Sequence, residues 1–79
     1  MSRLPAMAYR DVTRRLKAAG FVFDRQAKGS HEIWYNPQTH RYTTVPHHPG
    51  NVSRGTLRAI IREAGLTVDE FLSRGNPGE

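Results

Sequence analysis

Residues 21–36, FVFDRQAKGSHEIWYN, decide the fold of this chain. The aromatic and branched residues at 21–23 favour a strand, and His31–Asn36 favours a second one. The residues between them, 27–30, have the composition of a turn, in which Gly29 can adopt a positive φ. A short turn between neighbouring strands requires antiparallel pairing, so the stretch predicts a β-hairpin.

A helix precedes this hairpin and a third strand follows it. Apolar residues recur with helical spacing across residues 7–19 and predict a helix that Gly20 ends. After the turn NPQTH, Arg41–Pro46 predicts a third strand, which extends the hairpin to a three-stranded meander.

Two more helices are predicted after a loop at residues 46–55. The first has one apolar face, made of Leu57, Ile60, Ile61 and Ala64. Ser53 is its predicted N-cap and Gly65 its end. Thr67 and Glu70 have capping-box spacing, which predicts the start of a short final helix.

This order predicts a two-layer α+β domain of the form α-β-β-β-α. The helices cover one face of the antiparallel sheet, and the other face stays open to water or to a partner. We expect a single domain over residues 1–79, with an ordered core at about 8–72 and a flexible tail at 73–79. Trp34 alternates with His31 and Ile33, so we expect it on the open face, where a base could stack, or shielding the edge of the core.

The composition favours a polyanionic partner. The formal charge is +5, from 12 Lys and Arg against 7 Asp and Glu, and the basic residues are mostly arginine, whose planar fork suits phosphate. The alternative is that the charge only keeps a small protein soluble. The chain has no cysteine, which excludes disulfides and thiolate metal sites. It also has no apolar run long enough to span a membrane, and we expect a cytoplasmic protein.

His31 is the first candidate for chemistry, because it follows Lys28, Gly29 and Ser30 at the mouth of a strand. Histidine can take and give a proton near neutral pH. Metal-free RNA cleavage needs such a group, together with positive charge to stabilise the phosphate in the transition state. On residue type alone, a surface histidine without function is the favoured interpretation.

His47 and His48 are further candidates, as a second proton carrier or a phosphate contact, although polar loop residues of no special role would look the same. Adjacent residues in an extended segment point to different sides, which argues against one shared metal. No histidine spacing or carboxylate cluster supports a metal site, so we expect no metal and no cofactor.

Basic residues also form rows on the two longer helices. Such rows are usually solvated faces, but in a chain this basic they are candidates to bind phosphates or an acidic protein. The rows consist of Arg10, Arg14 and Lys17 on the first helix and of Arg54, Arg58 and Arg62 on the second.

The chain resembles the HicA (YcfA-like) toxins of bacterial and archaeal toxin–antitoxin modules. The resemblance covers about residues 8–72, and its most specific parts are the Gly-Phe after the first helix, Gly29-Ser30-His31, the loop VPHHPG and the segment GTL at the start of the second long helix. His47 departs from the pattern, since the family commonly has another residue there, often a basic one.

The resemblance implies a fold like the double-stranded-RNA-binding domain and a metal-independent ribonuclease that cleaves mRNA. It implies that His31 is the catalytic histidine and that a HicB antitoxin neutralises the toxin. We therefore predict acid or base catalysis by His31. The predicted RNA contacts are Arg25, Lys28, Ser30, His48, Arg54 and Arg58. The alternative function is a non-catalytic RNA-binding module of the same fold.

Overall fold

In the computed structural model of the chain, residues 4–74 are described. The elements in chain order are β1 (Met7–Ala8), α1 (Tyr9–Ala18), β2 (Val22–Gln26), β3 (His31–Asn36), β4 (Arg41–Pro46), β5 (Asn51–Val52), α2 (Arg54–Glu63) and α3 (Val68–Ser73). Strands β2, β3 and β4 form an antiparallel sheet in that order. The predicted α-β-β-β-α domain is thereby confirmed. Most of the tail predicted to be flexible, residues 73–79, lies outside the described residues, as do residues 1–3.

The helices begin and end where local chemistry requires. The Ser53 hydroxyl accepts a hydrogen bond from a backbone N–H in the first turn of α2, and Thr67 and Glu70 form a complete capping box at α3. Gly20 and Gly65 follow α1 and α2 with φ of 102° and 76°, a conformation that glycine adopts without strain. The caps and ends read from the sequence are therefore confirmed.

The apolar residues Ile33 and Tyr35 do not mark the buried face of β3. Glu32, Trp34 and Asn36 are buried, whereas Ile33 and Tyr35 are only half-buried. The prediction that Trp34 lies on the open face is therefore wrong, because its indole packs inside the core at 3% exposure. The core face tolerates Glu32 and Asn36 because both side chains find hydrogen-bond partners in other parts of the fold.

A second, two-residue pairing corrects the boundary of the first helix. Met7 pairs with Val52 and Ala8 with Asn51, in an antiparallel arrangement. The helix predicted over 7–19 therefore begins only at Tyr9, and the predicted loop contains a short strand. Two-residue strands are too short to show a period of alternation, so the sequence pattern did not reveal them.

The core lies between the three-stranded sheet and the helices. It includes Leu4, Met7, Val12, Leu16, Phe21, Trp34, Val45, Val52, Leu57, Ile60, Ile61, Ala64 and Phe71. Helix α2 packs on β4, and both long helices contact α3. On the opposite face of the sheet, Val22 and Tyr42 are about half exposed, at 52% each. No helix within residues 4–74 has the length and apolar character needed to cross a membrane.

Candidate functional site

His31 is the first residue of β3 and is exposed. The turn that delivers it contains Gly29, with φ of 67°, and closes where the His31 N–H donates to the Lys28 carbonyl at 3.4 Å. The Gln26 side chain donates to the carbonyls of Gly29 and His31, both at 3.1 Å, which ties the turn to β2. Alternation along β3 places His31 on the open face of the sheet with Ile33. The backbone at His31 is thus held while its imidazole stays accessible.

Three of the predicted RNA contacts lie close to His31 in the structure. Lys28 and Ser30 are exposed in the turn that precedes it. Arg25 is the cross-strand partner of Ile33, so it shares the open face with His31, and it forms an ion pair with Asp24. One end of the hairpin therefore carries an imidazole and two basic side chains.

A cavity of about 610 Å³ lies beside this end of the sheet, between the start of α1 and the loop after β4. Its lining consists of Ala8, Tyr9, Arg10, His47, His48, Pro49 and Gly50. His31 is not part of this lining. The cavity contains basic and aromatic side chains that are suited to phosphate and to a base.

A buried carboxylate, that of Glu32, contacts two of the residues that line this cavity. Glu32 is only 6% exposed. Its Oε1 accepts hydrogen bonds from the Tyr9 hydroxyl at 2.6 Å and from the Trp34 indole N–H at 3.2 Å. Its Oε2 lies 2.9 Å from Nδ1 of His47. Both oxygens are therefore satisfied, as a buried carboxylate requires.

These contacts shift the ionisation of both acidic groups. Burial alone raises the pKa of Glu32, but hydrogen bonds from Tyr9, Trp34 and His47 outweigh it and lower that pKa below its usual value. Burial, reinforced by the hydrogen bond to Glu32 and by its charge, raises the pKa of Tyr9 to about 12. At neutral pH Glu32 is thus a carboxylate and Tyr9 a neutral donor.

His47 is held on three sides. Its ring stacks on Tyr9 with centroids 3.8 Å apart and planes 10° from parallel. Its Nδ1 meets Glu32, and its backbone N–H donates to the Ser30 carbonyl at 2.8 Å. A carboxylate can only accept, so Nδ1 carries the proton and, in the neutral ring, Nε2 has the free lone pair. The side chain is still 54% exposed, so the rest of the ring is open to the cavity.

The two histidines lie at neighbouring positions of one ladder. His31 pairs with Pro46, and Ser30 bonds to His47, so the two residues are one step apart across β3 and β4. Because side chains alternate along a strand, His31 points to the open face and His47 to the helix side. Both lie at the same end of the sheet.

The remaining predicted contacts are more dispersed. His48 lines the cavity and its Nδ1 lies 3.2 Å from the Pro49 carbonyl oxygen. Arg54 and Arg58 are exposed on the first turns of α2, after the strand that borders the cavity loop. The structure therefore groups Arg25, Lys28 and Ser30 around His31 and puts His48 in the cavity, whereas Arg54 and Arg58 are not among the residues that line it. In the part of the chain from 4 to 74, no group of three or more His, Cys, Asp and Glu side chains is arranged to hold a metal ion.

The sequence reasoning did not single out Tyr9 or Glu32 as site residues. Tyr9 has the helical spacing of the apolar residues in the first helix, and this spacing predicts a core residue. One signal could have found Glu32, since it shares its strand face with Trp34, and a charged residue on a core-facing position must be paired. That signal required the correct choice of the buried face.

Comparison with known proteins gives two results. No curated protein matches the chain significantly. A family model described as "HicA toxin of bacterial toxin-antitoxin" matches residues 9–66, which extends from the first residue of α1 past the end of α2. Since this match covers most of the chain and includes both histidines, the protein belongs to the HicA family of toxins from bacterial toxin–antitoxin modules.

Proposed function

We propose that this toxin is a metal-independent endoribonuclease that cleaves mRNA and thereby inhibits translation. The observation that carries the proposal is the exposed His31, which lies beside Lys28 and Arg25 after a turn that the Gln26 side chain holds in place. The net charge of +5 and the membership of the HicA toxin family support it. Its site of action is then the cytoplasm, where mRNA is translated.

The chemistry needs two proton transfers and a positive environment. A base removes the proton of a ribose 2′-hydroxyl, and the oxygen attacks the adjacent phosphorus. An acid then protonates the 5′-oxygen as its bond to phosphorus breaks. His31 performs one of these transfers, and the nearby cations stabilise the charge that develops on the phosphate oxygens.

The predicted RNA contacts bind the phosphate at His31 and the strand on either side of it. Arg25 and Lys28 hold the phosphate at His31, and Ser30 sets the geometry of the turn. His48 receives a neighbouring part of the strand in the cavity. Arg54 and Arg58 contact phosphates farther along the RNA, where charge rather than sequence decides binding.

The toxin of a toxin–antitoxin module works against a cognate antitoxin. We assign that role here to a HicB-type protein, which neutralises the toxin by covering the His31 end of the sheet. Co-purification with the product of the adjacent gene is the direct measurement of this pairing.

Replacing His31 tests the catalytic proposal. We expect His31→Ala to lower RNA cleavage by about 10²–10⁴-fold, the usual contribution of a general acid or base, and to abolish growth arrest on expression. Cleavage is measured on purified, folded protein. The matched control is His40→Asn, because His40 is an exposed histidine at the other end of the β3–β4 hairpin and asparagine tolerates its φ of 62°.

Three outcomes would contradict the proposal. A folded His31→Ala protein that cleaves as fast as the parent removes His31 from the chemistry. Loss of the parent's activity in EDTA makes the reaction metal-dependent. If the parent binds RNA in a salt-sensitive way and leaves it intact, the protein is instead a binding module.

A further inference from the structure

We propose that His47 is a second proton-transfer residue of the RNA-cleavage site, with Glu32 and Tyr9 as the positioning residues that orient it. The inference rests on the proposed ribonuclease activity. It assigns the base to His47 and the acid to His31.

The placement of Glu32 is the first argument. A carboxylate that is 6% exposed is costly to bury, and it is retained here with three hydrogen bonds from side chains. Two of these donors bind Oε1: Trp34 from the core, and Tyr9 from the start of α1 at the wall of the cavity. Oε2 is left to a histidine at the rim of a cavity. The carboxylate therefore connects a rigid interior to one exposed imidazole.

The orientation of His47 is the second argument. The hydrogen bond at Nδ1 and the stack on Tyr9 together fix both the rotation and the tilt of the ring. They also fix the tautomer, because the proton must be on Nδ1. The edge that bears Nε2 is left as the proton acceptor in the accessible part of the side chain, which is 54% exposed. A loop histidine with no role in proton transfer needs none of these constraints.

The charged and titratable groups around His47 fit an RNA strand. Glu32 faces it from β3, Tyr9 faces it from α1, and Arg10 and His48 line the same cavity from α1 and the loop. Only Glu32 among these is an anion at neutral pH, and it is engaged by its hydrogen bonds. The cations of the cavity attract the phosphate backbone.

The reaction balances with these two histidines. Nε2 of neutral His47 accepts the proton of the 2′-hydroxyl, and the 2′-oxygen forms a bond to phosphorus. The bond from phosphorus to the 5′-oxygen breaks, and protonated His31 gives its proton to that oxygen. The products are a 2′,3′-cyclic phosphate and a 5′-hydroxyl. His31 and His47 are one step apart on the β3–β4 ladder and point to opposite faces, so the RNA phosphate that both serve must lie at the end of the sheet, where the two faces meet.

The first test compares two adjacent histidines of the same cavity. His47→Gln retains an amide donor for Glu32, so the buried carboxylate stays paired. We expect it to lower kcat by about 10²–10⁴-fold and to remove the acidic limb of the pH–rate profile. His48→Gln is the matched variant, for which we expect a raised KM and an unchanged pH profile. Glu32→Gln and Tyr9→Phe are expected to lower kcat less than His47→Gln, because the base is still present but no longer held.

The second test separates the base from the acid. In an RNA with sulfur in place of the bridging 5′-oxygen, the leaving group needs no protonation. This substrate is expected to restore cleavage by His31→Ala, which lacks the acid, and to give no recovery with His47→Gln, which lacks the base. A structural defect would slow both substrates equally in both variants.

The outcomes distinguish this inference from the proposed function. Full activity and an unchanged pH profile in folded His47→Gln, together with an inactive His31→Ala, overturn the role of His47 and leave the ribonuclease proposal intact. Recovery of His47→Gln on the sulfur substrate reverses the assignment of base and acid and overturns the inference as stated. A parent protein that leaves RNA intact overturns both.

Discussion

Glu32 and Asn36 are both buried polar residues on the same face of β3, one near each end of the strand, but they bind different kinds of partner. Among residues 4–74, the Asn36 side chain bonds only to backbone atoms. Its amide donates to the Ala19 carbonyl at 3.2 Å, and its Oδ1 accepts from the N–H groups of Gln38 at 2.9 Å and Thr39 at 3.4 Å. Within the described part of the chain, the Glu32 carboxylate bonds only to side chains, and two of these belong to titratable residues that line a cavity.

The difference separates two uses of a buried polar group. Asn36 joins the end of α1 to the β3–β4 turn, so its contribution is to stability. The Glu32 carboxylate has no backbone partner in the described range 4–74, and it instead fixes the position of His47. A buried polar group whose partners are backbone atoms indicates an architectural role, whereas one whose partners are titratable and accessible indicates chemistry.

Asn36→Ala has the larger expected effect on stability. The change leaves the Ala19 carbonyl and the Gln38 N–H without their partner, which costs about 1–3 kcal/mol of unfolding free energy. Urea denaturation measures this loss. RNA cleavage per folded molecule should not change, since Asn36 lies at the end of β3 away from His31. Gln38→Ala is the control, because its exposed side chain lies in the same turn and it bonds to Asn36 through the backbone.

A loss of cleavage without loss of stability in Asn36→Ala would break the comparison. Both ends of the strand would then contribute to function, and the nature of the partner atoms would not separate the two roles.

Glu32→Gln has a smaller expected effect, which depends on pH. The pKa of Glu32 is lowered in the folded protein, so its stabilising contribution is present above the unfolded value of about 4.3 and is lost as pH falls through the folded value. Glutamine does not titrate, so the variant should lose less stability than the parent on acidification. Urea midpoints measured at a series of pH values from neutral to acidic test this expectation.

Asn36→Ala is the control for the pH dependence, because neither asparagine nor alanine has a side chain that titrates. It should shift the whole curve of stability against pH downwards without changing its shape. Parallel acid profiles for the parent and Glu32→Gln would contradict the lowered pKa of Glu32.

Local chemistry made most of the fold predictable. The hairpin required a glycine turn between two β-favouring runs, and Ser53, Thr67 and Glu70 specified the helix starts by their side chains alone. Each of these signals depends on residues close together in the chain. His31 was predicted as the catalytic candidate from the same local turn together with the family resemblance.

The features that the sequence did not predict depend on contacts between residues that are distant in the chain. The buried face of β3 could not be read from Ile33 and Tyr35, because the polar residues of the other face are satisfied by α1 and by the loop after β4. The pairing of Tyr9, Glu32 and His47 likewise joins three separate elements. Only the folded chain brings these residues together, so no local pattern indicates them.

The short pairing of β1 with β5 has a consequence for the order of folding. It joins Met7–Ala8 to Asn51–Val52, segments far apart in the chain, through only two residue pairs. Closing so long a loop costs conformational entropy, and only two residue pairs are gained in return. We therefore expect this pairing to form after the β2–β3–β4 meander. Ala8 and Gly50 lie at this pairing and both line the cavity, so we expect the cavity to be completed only after the meander has formed. A nascent toxin would then present its His31 turn before its cavity exists. Pulse-labelled hydrogen exchange during refolding would show this as later protection of the β1 and β5 amides than of β3, and simultaneous protection would refute it.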